Sequence, residues 1–456
     1  MLWRNPWLRQ RIALIGCVAW DIGALYGIYS LSYLLRLGTW EWWSYGLLIV
    51  EFTWVAVSYL VGRYSSASGM SKKCMARLTI EAVVPASAVI LLFVGHAWLF
   101  QINDAQTRFR GFLIPVTALS IALSVAYQYM VRRHGRKSGD SWVVLGSSCE
   151  EEVLLREIRL RGGAERSIEF VNTEMLSGSE TEQIGIGRSV ALGKSGLSDK
   201  SLVETLLRMK SQGTYVVPIV NWCEEQLQRI PPELVSREWL VQADGFALRP
   251  GTLGWRIKRF GDILGATVLL GLTSPIIAIA AIMIWLEDRG PVFYSQIRTG
   301  LYAKEIRVWK LRSMRINAES AGIQWARKDD PRVTRVGKLI RRSRIDELPQ
   351  LFNVLYGDLS LIGPRPERPE IEDHLEMEIP HYRVRHWIRP GLSGWAQVCY
   401  PYGASVGDSR TKLSYDIYYL RNSNILLDAL VTIKTIKLVL RGEGASPLTP
   451  PQKDDI

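Results

Sequence analysis

The sequence predicts a membrane protein in three parts: a membrane α-helical bundle of four spans, a small α/β domain, and an α-rich monotopic domain with a re-entrant membrane helix. Three observations lead there. Apolar stretches of bilayer length fill the first third and recur once later; strand-like and helical segments alternate in the middle; positive charge collects in the last block. The chain has 456 residues, 48% hydrophobic, with 17 Trp. Tryptophan suits a bilayer interface, where one end of the ring is apolar and the other wet.

Residues 1–137 contain apolar stretches at 12–35, 42–62, 78–100 and 111–131, each close to the ~20 residues that cross a bilayer. The first is too long, and lacks the small-residue cleavage site, for a removable signal peptide. Loop charges set the topology. Arg4, Arg9 and Arg11 precede the first stretch, Arg63, Lys72, Lys73 and Arg77 follow the second, and Arg132, Arg133, Arg136 and Lys137 follow the fourth. The other two loops carry only Arg36, and Arg108 with Arg110. This bias puts both ends of the module in the cytoplasm. Asp21 and Glu81 lie in or near spans, where inter-helix pairing is the expected role.

Residues 138–250 change character. S-W-V-V-L-G-S-S (141–148) is an apolar strand running into Gly146, followed by helical E-E-E-V-L-L-R-E-I. Strand-like runs follow at 168–172, 215–220 and 239–243, with a helix over 201–212. The alternation implies a parallel α/β domain of degenerate Rossmann-like type. Only Gly146 survives of G-x-G-x-x-G, since Ser148 and Glu151 hold the other glycine positions. A pyrophosphate could not approach that backbone closely, so dinucleotide binding is not expected.

The last block, 251–442, contains one more apolar run, placed at 262–286. Its length permits a fifth span. Ser274-Pro275 in its middle predicts a break, because proline removes a helix hydrogen bond. Cations flank both ends (Lys258 and Arg259; Arg289 and Arg298), which suits a helix that returns to the cytoplasmic face. Further on, 423–441 reads as a helix with Lys434 and Lys437 on one polar face, and the proline-bearing tail 443–456 reads as disordered.

Charge and cysteine usage exclude several classes. Between Arg289 and Arg344 there are 15 Lys/Arg against 4 Asp/Glu. Such a region suits a polyanionic partner: nucleic acid, a phosphate-bearing metabolite or anionic lipid. Five cysteines without C-x-x-C argue against a disulfide framework and a zinc cluster. The histidines form no H-E-x-x-H, and His374, His381 and His386 are expected in surface or core roles.

The chemistry-bearing residues crowd into short motifs. F-Y-S-Q-I-R-T-G offers Gln296 and Arg298; W-K-L-R-S-M-R offers Lys310, Arg312 and Arg315; G-P-R-P is a shaped loop presenting Arg365. R-R-S-R-I-D-E-L-P-Q places Asp346 and Glu347 behind a run of cations. A short helix should end near this pair, and Pro349 disfavours helical geometry at Leu348, leaving the pair at a turn accessible to ligand. A bland reading stands beside this: Ser343-x-x-Asp346 fits a weak capping box. The cationic context favours chemistry. An ionised Asp is a nucleophile toward phosphorus, a neighbouring Glu can hold a magnesium ion on a diphosphate, and guanidinium groups clamp phosphate.

Across roughly 190 residues these motifs, with K-R-F-G-D, D-P-R-V-T-R-V-G, D-L-S-L-I-G-P-R-P, R-P-G-L-S-G-W-A-Q-V and Y-D-I-Y-Y-L, resemble the bacterial sugar transferase family. These are monotopic polyprenyl-phosphate sugar-1-phosphate transferases, and the four spans and degenerate α/β domain resemble its long form. The resemblance implies that the last block is the catalytic domain, in the bacterial inner membrane with its active site cytoplasmic. Asp346 would attack the β-phosphate of a UDP-sugar, releasing UMP. Undecaprenyl phosphate would then take the sugar-1-phosphate, a hexose phosphate in many long members, and so initiate exopolysaccharide, O-antigen or capsule assembly. Glu347 would hold Mg²⁺. Arg365, Arg312 and Arg298, with Lys310 and Gln296, would handle phosphates, and Asp416 would be a supporting carboxylate. Implied partners are the UDP-sugar, undecaprenyl phosphate and the lipid bilayer, with no nucleic acid; a homodimer is among the expected assemblies. The family often has Thr-Ser-Leu before the acidic pair, where this chain has Ser343-Arg344-Ile345, so Arg344 is an unexpected cation.

Two other readings compete. A membrane-anchored sugar-nucleotide dehydratase needs an intact glycine fingerprint and Tyr-x-x-x-Lys, and the chain has neither. A non-enzymatic scaffold in polysaccharide export would leave Asp346 dispensable.

Overall fold

The computed structural model of the protein describes residues 8, 11–38, 40, 42–64, 74–99, 112–135, 141–160, 168–173, 188–197, 199–243, 245–246, 251–316, 318, 330–401, 403 and 405–440. The chain is mostly helical, with small sheets, and divides into two compact units: Met1–Val143 with Gly162–Glu169 and Gly187–Ser189, and the remainder from Val144 onward.

The first unit holds α1 (Ile12–Leu37), α2 (Tyr45–Val61), α3 (Cys74–Leu99) and α4 (Ile114–Gly135), one for each predicted stretch. Windows in α1, α3 and α4 are long and apolar enough to cross a membrane. Helix α2 has 17 residues, roughly 25 Å at 1.5 Å per residue, the lower limit for a span. Caps bound it at both ends. Ser44 Oγ accepts from Leu47 N–H at 3.2 Å, and Gly62 turns left-handed at φ 95°. Leu25, Val50, Trp54, Ala86, Val89 and Leu113 form the core between the helices.

Asp21 is 1% exposed. It accepts from Tyr64 Oη at 2.7 Å, Trp54 Nε1 at 3.3 Å and Ser124 Oγ. This is the expected inter-helix pairing, since a buried carboxylate is costly unless donors surround it. Arg63 departs from its expected place in a solvated loop: it is buried, because Asp21 and Ser124 take its guanidinium. The loop cations Arg4, Arg9, Lys72, Lys73, Arg108, Arg110, Arg136 and Lys137 lie outside the described residues, as do the side chains of Arg36, Arg77, Arg132 and Arg133 and the 443–456 tail.

In the middle of the chain, β1 (Trp142–Gly146), β2 (Ile168–Asn172), β3 (Ser189–Leu192) and β4 (Val216–Pro218) form a sheet in the order β2-β1-β3-β4. Strands β3 and β4 are parallel. Among the described residues this is the 2-1-3-4 order of the flavodoxin-like class, not the 3-2-1-4 order of a dinucleotide-binding half. Helices α5 (Ser148–Leu160), α6 (Lys194–Leu197) and α7 (Lys200–Ser211) intervene. Two expected strands are corrected. Residues 215–220 give only β4, because Pro218 has no N–H for a ladder and instead opens α8 (Ile219–Leu227). Residues 239–242 belong to helix α9 (Arg237–Gln242), where Ser236 caps Trp239 N–H at 3.1 Å, and Ala243 ends it.

Helix α10 (Leu253–Asp288) runs unbroken through Pro275, contrary to the break expected at Ser274-Pro275. The carbonyl that proline orphans, Gly271 O, accepts instead from Ser274 Oγ at 3.0 Å. The side chain beside the proline thus replaces the missing donor. Both halves of the helix pack against one folded body. Ala266 and Leu270 join Val308, Leu351 and Val354; Ala280, Ile284 and Ile277 join Leu311 and Ile340. That body contains β5 (Phe293–Thr299) antiparallel to β6 (Glu305–Leu311), α11 (Arg335–Arg342), α12 (Gln350–Tyr356), β7 (Ser360–Ile362) and α13 (Pro369–Glu378). β8 (Gly391–Ser393), α14 (Trp395–Cys399), α15 (Val406–Asn422) and α16 (Ile425–Leu440) complete it. Lys434 is corrected too. It leans over the Trp395 ring, 4.5 Å from its centre, while Leu426, Ile433, Ile436 and Leu440 are among the exposed side chains of α16.

Candidate active site

Two core clusters fix the acidic pair. Helix α11 starts where Thr334 Oγ1 accepts from Gly337 N–H at 2.9 Å, and ends at Ser343. Arg344 then adopts φ 55°, and Ile345–Glu347 form a single 3₁₀ turn. Ile345 packs into the cluster under the second half of α10, and Leu348 into the cluster under the first half. The carboxylates between them are carried inward, Asp346 at 9% exposure and Glu347 at 8%. Burial also explains why Leu348 is helical (φ −57°, ψ −35°) despite Pro349: tertiary packing overrides the local preference. The pair is therefore less accessible than the sequence implied. The capping-box reading fails as well, because Ser343 Oγ donates back to the carbonyls of Leu339 and Ile340.

The two carboxylates have different surroundings. Glu347 Oε1 is 2.5 Å from Arg365 Nη2 and 3.3 Å from Lys310 Nζ, while Oε2 is 3.4 Å from Arg344 Nη1 and 3.5 Å from Arg365 Nη1. Burial alone would raise its pKa, but Arg365, Lys310 and Arg344 together hold it well below the usual carboxylate range. Asp346 has no hydrogen bond or ion pair among the described residues. Burial, then the charge of Glu347, push its pKa up, against the opposing pull of Lys310, Arg341 and Arg365. One carboxylate is locked as an anion; its neighbour keeps its lone pairs unspent.

The β5–β6 hairpin supplies the basic wall. Its register sets Tyr294 opposite Lys310 and Arg298 opposite Ile306, so Gln296, Arg298 and Lys310 share one face. Arg298 Nη2 donates to Gln296 Oε1 at 2.5 Å and Nη1 to the Pro366 carbonyl at 3.3 Å, with Glu367 Oε2 at 3.6 Å. Burial lowers the pKa of Lys310, partly offset by Glu347.

Arg365 reaches Glu347 from the G-P-R-P loop that leaves β7. That loop lies against β8 so closely that a Cβ on Gly363 would sit 2.9 Å from Gly391 N. Both glycines are there for close backbone approach.

Two expected site residues lie elsewhere. Arg312, one residue beyond the end of β6, bonds Asp288 at the C-terminus of α10, with Nη1 to Oδ2 at 2.8 Å. An acidic residue on that helix end claims it, so it is removed from the phosphate-binding group. Asp416 is 2% exposed and lies 3.2 Å from Arg385 Nη2. Burial pushes its pKa up to about 6, opposed by Arg385. Sequence reasoning missed Arg385, Glu372 and Glu367. Arg385 meets Glu372 at 3.7 Å, and His386 Nε2 lies 3.4 Å from the same carboxylate. The only hint was R-V-R-H in a motif whose loop partners are distant in sequence. Among the described residues no group of three or more His, Cys, Asp or Glu is arranged to hold a metal ion.

The family model for bacterial sugar transferases matches residues 253–442, the stretch from α10 to the end of α16. The chain is 49% identical over 199 residues to a UDP-N-acetylgalactosamine-undecaprenyl-phosphate N-acetylgalactosaminephosphotransferase of Aeromonas hydrophila, covering 44% of this chain and 47% of that protein. It is 41% identical over 277 residues to a UDP-glucose:undecaprenyl-phosphate glucose-1-phosphate transferase of Xanthomonas campestris pv. campestris, covering 59% and 54%. The chain thus spans about half the length of each of these two relatives. A protein with the same printed name from Caulobacter vibrioides is 38% identical over 205 residues, 43% of this chain and 77% of its own. The matched stretch, which carries the acidic pair and its cationic clamp, and a relative 38% identical and covered over 77% of its own length place the chain in the bacterial sugar transferase family.

Proposed function

We propose that the chain transfers a sugar-1-phosphate from a UDP-sugar to undecaprenyl phosphate in two steps, initiating assembly of a surface polysaccharide repeat unit. The observation that carries this is the division of labour in the pair: a buried Asp346 with unspent lone pairs beside a Glu347 locked by cations. In the first step an Asp346 oxygen bonds to the β-phosphorus. The bond to the bridging oxygen breaks, UMP leaves with that oxygen, and Asp346 carries the phosphosugar. In the second, a phosphate oxygen of undecaprenyl phosphate bonds to the same phosphorus and the carboxylate of Asp346 is restored. Arg365, Lys310 and Arg298 face the diphosphate and stabilise charge on its oxygens. Relatives named for N-acetylgalactosamine and for glucose make a UDP-hexose, with or without an acetamido group, the donor class.

Magnesium belongs to the same proposal. Mg²⁺ takes one or two protein carboxylates and completes its shell with substrate phosphates and water, and Asp346–Glu347 are hard oxygen donors of that number. Both Glu347 oxygens are engaged by cations, so the ion would enter only together with a diphosphate that draws those cations onto itself. Glu347 would hold it, and the ion would neutralise diphosphate charge.

The catalytic domain sits on the cytoplasmic face of the inner membrane, with α10 re-entrant through a bend at Pro275 rather than a break in the helix. What supports this is that both ends of α10 are tied to one folded body, Arg259 to the Val354 and Leu355 carbonyls and Asp288 to Arg312, whereas a span would send its ends to opposite faces. The exposed apolar side chains of α16 suit a helix resting on lipid.

The direct test incubates membranes with a series of UDP-sugars and undecaprenyl phosphate and follows UMP. Full UMP release by Asp346→Asn would overturn the nucleophile. A cysteine placed after residue 290 should resist impermeant thiol reagents in intact cells; ready labelling would indicate a fifth span.

A further inference from the structure

The G-P-R-P loop donates at its first residue, Gly363 N–H to the Ser393 carbonyl at 2.8 Å. Pro364 and Pro366 have no N–H, so beyond Gly363 the segment is held chiefly through its acceptors. Four consecutive carbonyls each receive a bond from outside the loop. Pro364 O accepts from Gly391 N–H at 2.8 Å, Arg365 O from Arg385 Nη2 at 2.9 Å, Pro366 O from Arg298 Nη1 at 3.3 Å, and Glu367 O from Thr299 N–H at 2.9 Å. Three of these donors are β8 backbone, β5 backbone, or a side chain already in the basic wall. Arg385 is none of these, and it bonds the very residue whose guanidinium holds Glu347.

We propose that Arg385 is a positioning residue that sets Arg365 through its main-chain carbonyl, with Asp416 and Glu372 as its anchors. This rests on the proposed reaction. Arg385 is 6% exposed. Asp416 Oδ2 lies 3.2 Å from one terminal nitrogen and Glu372 Oε1 3.7 Å from the other, and Tyr382 Oη accepts as well. One cation between two carboxylates has no charge left for an anionic substrate, so its influence passes through the loop. Asp416 accordingly supports Arg385 rather than the acidic pair. Lysine cannot replace this planar fork, because a single ammonium cannot reach a carbonyl and two carboxylates in the same directions.

The test is a double-mutant cycle in the full-length membrane protein, reading UMP release and thermal stability for Arg385→Lys, Arg365→Lys and the pair. Arg385→Lys should lower kcat by about 10- to 100-fold, as misplacement of a binding group does, with Tm nearly unchanged. In the Arg365→Lys background the same change should cost less than about threefold, because residues acting through one another are not additive. Full additivity overturns the proposal. Hydrogen exchange asks the same question without turnover. The Thr299 and Gly391 amides, which clamp the flanking carbonyls, should exchange about tenfold faster in Arg385→Lys, while Val308 in the same hairpin keeps its rate. Unchanged exchange at both overturns the proposal. If Arg385→Lys does not fold, Asp416→Asn, which removes one anchor, should give the same cycle and exchange pattern at smaller amplitude; failure of both overturns it. A wild-type chain that releases no UMP from any UDP-sugar defeats the reaction, and the exchange result still decides the role of Arg385.

Discussion

Two carboxylate sites in this chain solve opposite problems. At the C-terminal end of β1, Glu150 Oε2 accepts from Ser147 N–H at 2.9 Å and Ser195 Oγ at 2.9 Å, and Oε1 from Lys194 N–H at 2.7 Å. A Cβ on Gly146 would lie 2.9 Å from that carboxylate. The surviving glycine of the broken fingerprint therefore makes room for the protein's own anion, in the place where an α/β sheet of this kind would otherwise cradle a phosphate. At the acidic pair, Glu347 is saturated by side-chain cations while Asp346 has no bond among the described residues. Donors that satisfy a carboxylate completely close a site. Donors that satisfy one of two neighbours leave the other reactive.

The sharpest way to break this contrast is at Asp346. Asp346→Asn should reduce UMP release at least about a thousandfold, as loss of a nucleophile does. It should not destabilise the protein at neutral pH. The Asp346 pKa is raised on folding, so its stabilising contribution is present only below the unfolded carboxylate value and is lost as pH rises through the folded one. Thermal melts above neutrality should give an equal or higher Tm for Asn, and a lower Tm would contradict the burial argument. The same sign makes kcat/KM fall on the acid side, as Asp346 takes up its proton.

Arg365→Ala is next, at about a hundredfold in kcat/KM. It removes two of the four cation contacts to Glu347 and the guanidinium proposed to bind the diphosphate. An unchanged rate would mean that Lys310 and Arg344 suffice. Glu150→Ala sharpens the other side of the contrast. It strands donors at Ser147, Lys194 and Ser195 and should cost the fold about 1–2 kcal/mol, read by denaturation, with UMP release per folded molecule unchanged. A parallel loss of activity would show that the two regions are not independent.

The smallest effect is expected at Arg344, whose φ of 55° is a left-handed conformation that glycine adopts freely. Arg344→Gly relieves about 1 kcal/mol of backbone strain and loses one partly exposed ion pair with Glu347 worth about as little. Tm should hardly move while kcat falls a fewfold. The cation that departs from the family pattern is thus the farthest of the three from Glu347, at 3.4 Å.

Much of the site is legible in the sequence because its residues sit in short, dense motifs: Asp346 and Glu347 in one, Arg298 with Gln296 in a second, Lys310 in a third, Arg365 in a fourth. Period-two alternation brings the hairpin residues to one face. Arg312 misled for a physical reason. One residue past a strand end, the direction of a side chain is set by whatever carboxylate lies nearby, and Asp288 arrives from a helix terminus 24 residues earlier. Arg385 was illegible because its purpose is to bond a carbonyl 20 residues away.

The sequence by itself determined the apolar helices, the family and the crowding of charged residues around Asp346 and Glu347, because bilayer length, residue type and motif density are local properties. Tertiary structure alone decided which carboxylate is locked and which is unspent. Ile345 and Leu348 are drawn into two different cores. That packing buries the pair, turns Leu348 helical before a proline, and brings three cations from separate elements onto Glu347 and none within bonding distance of Asp346 among the described residues.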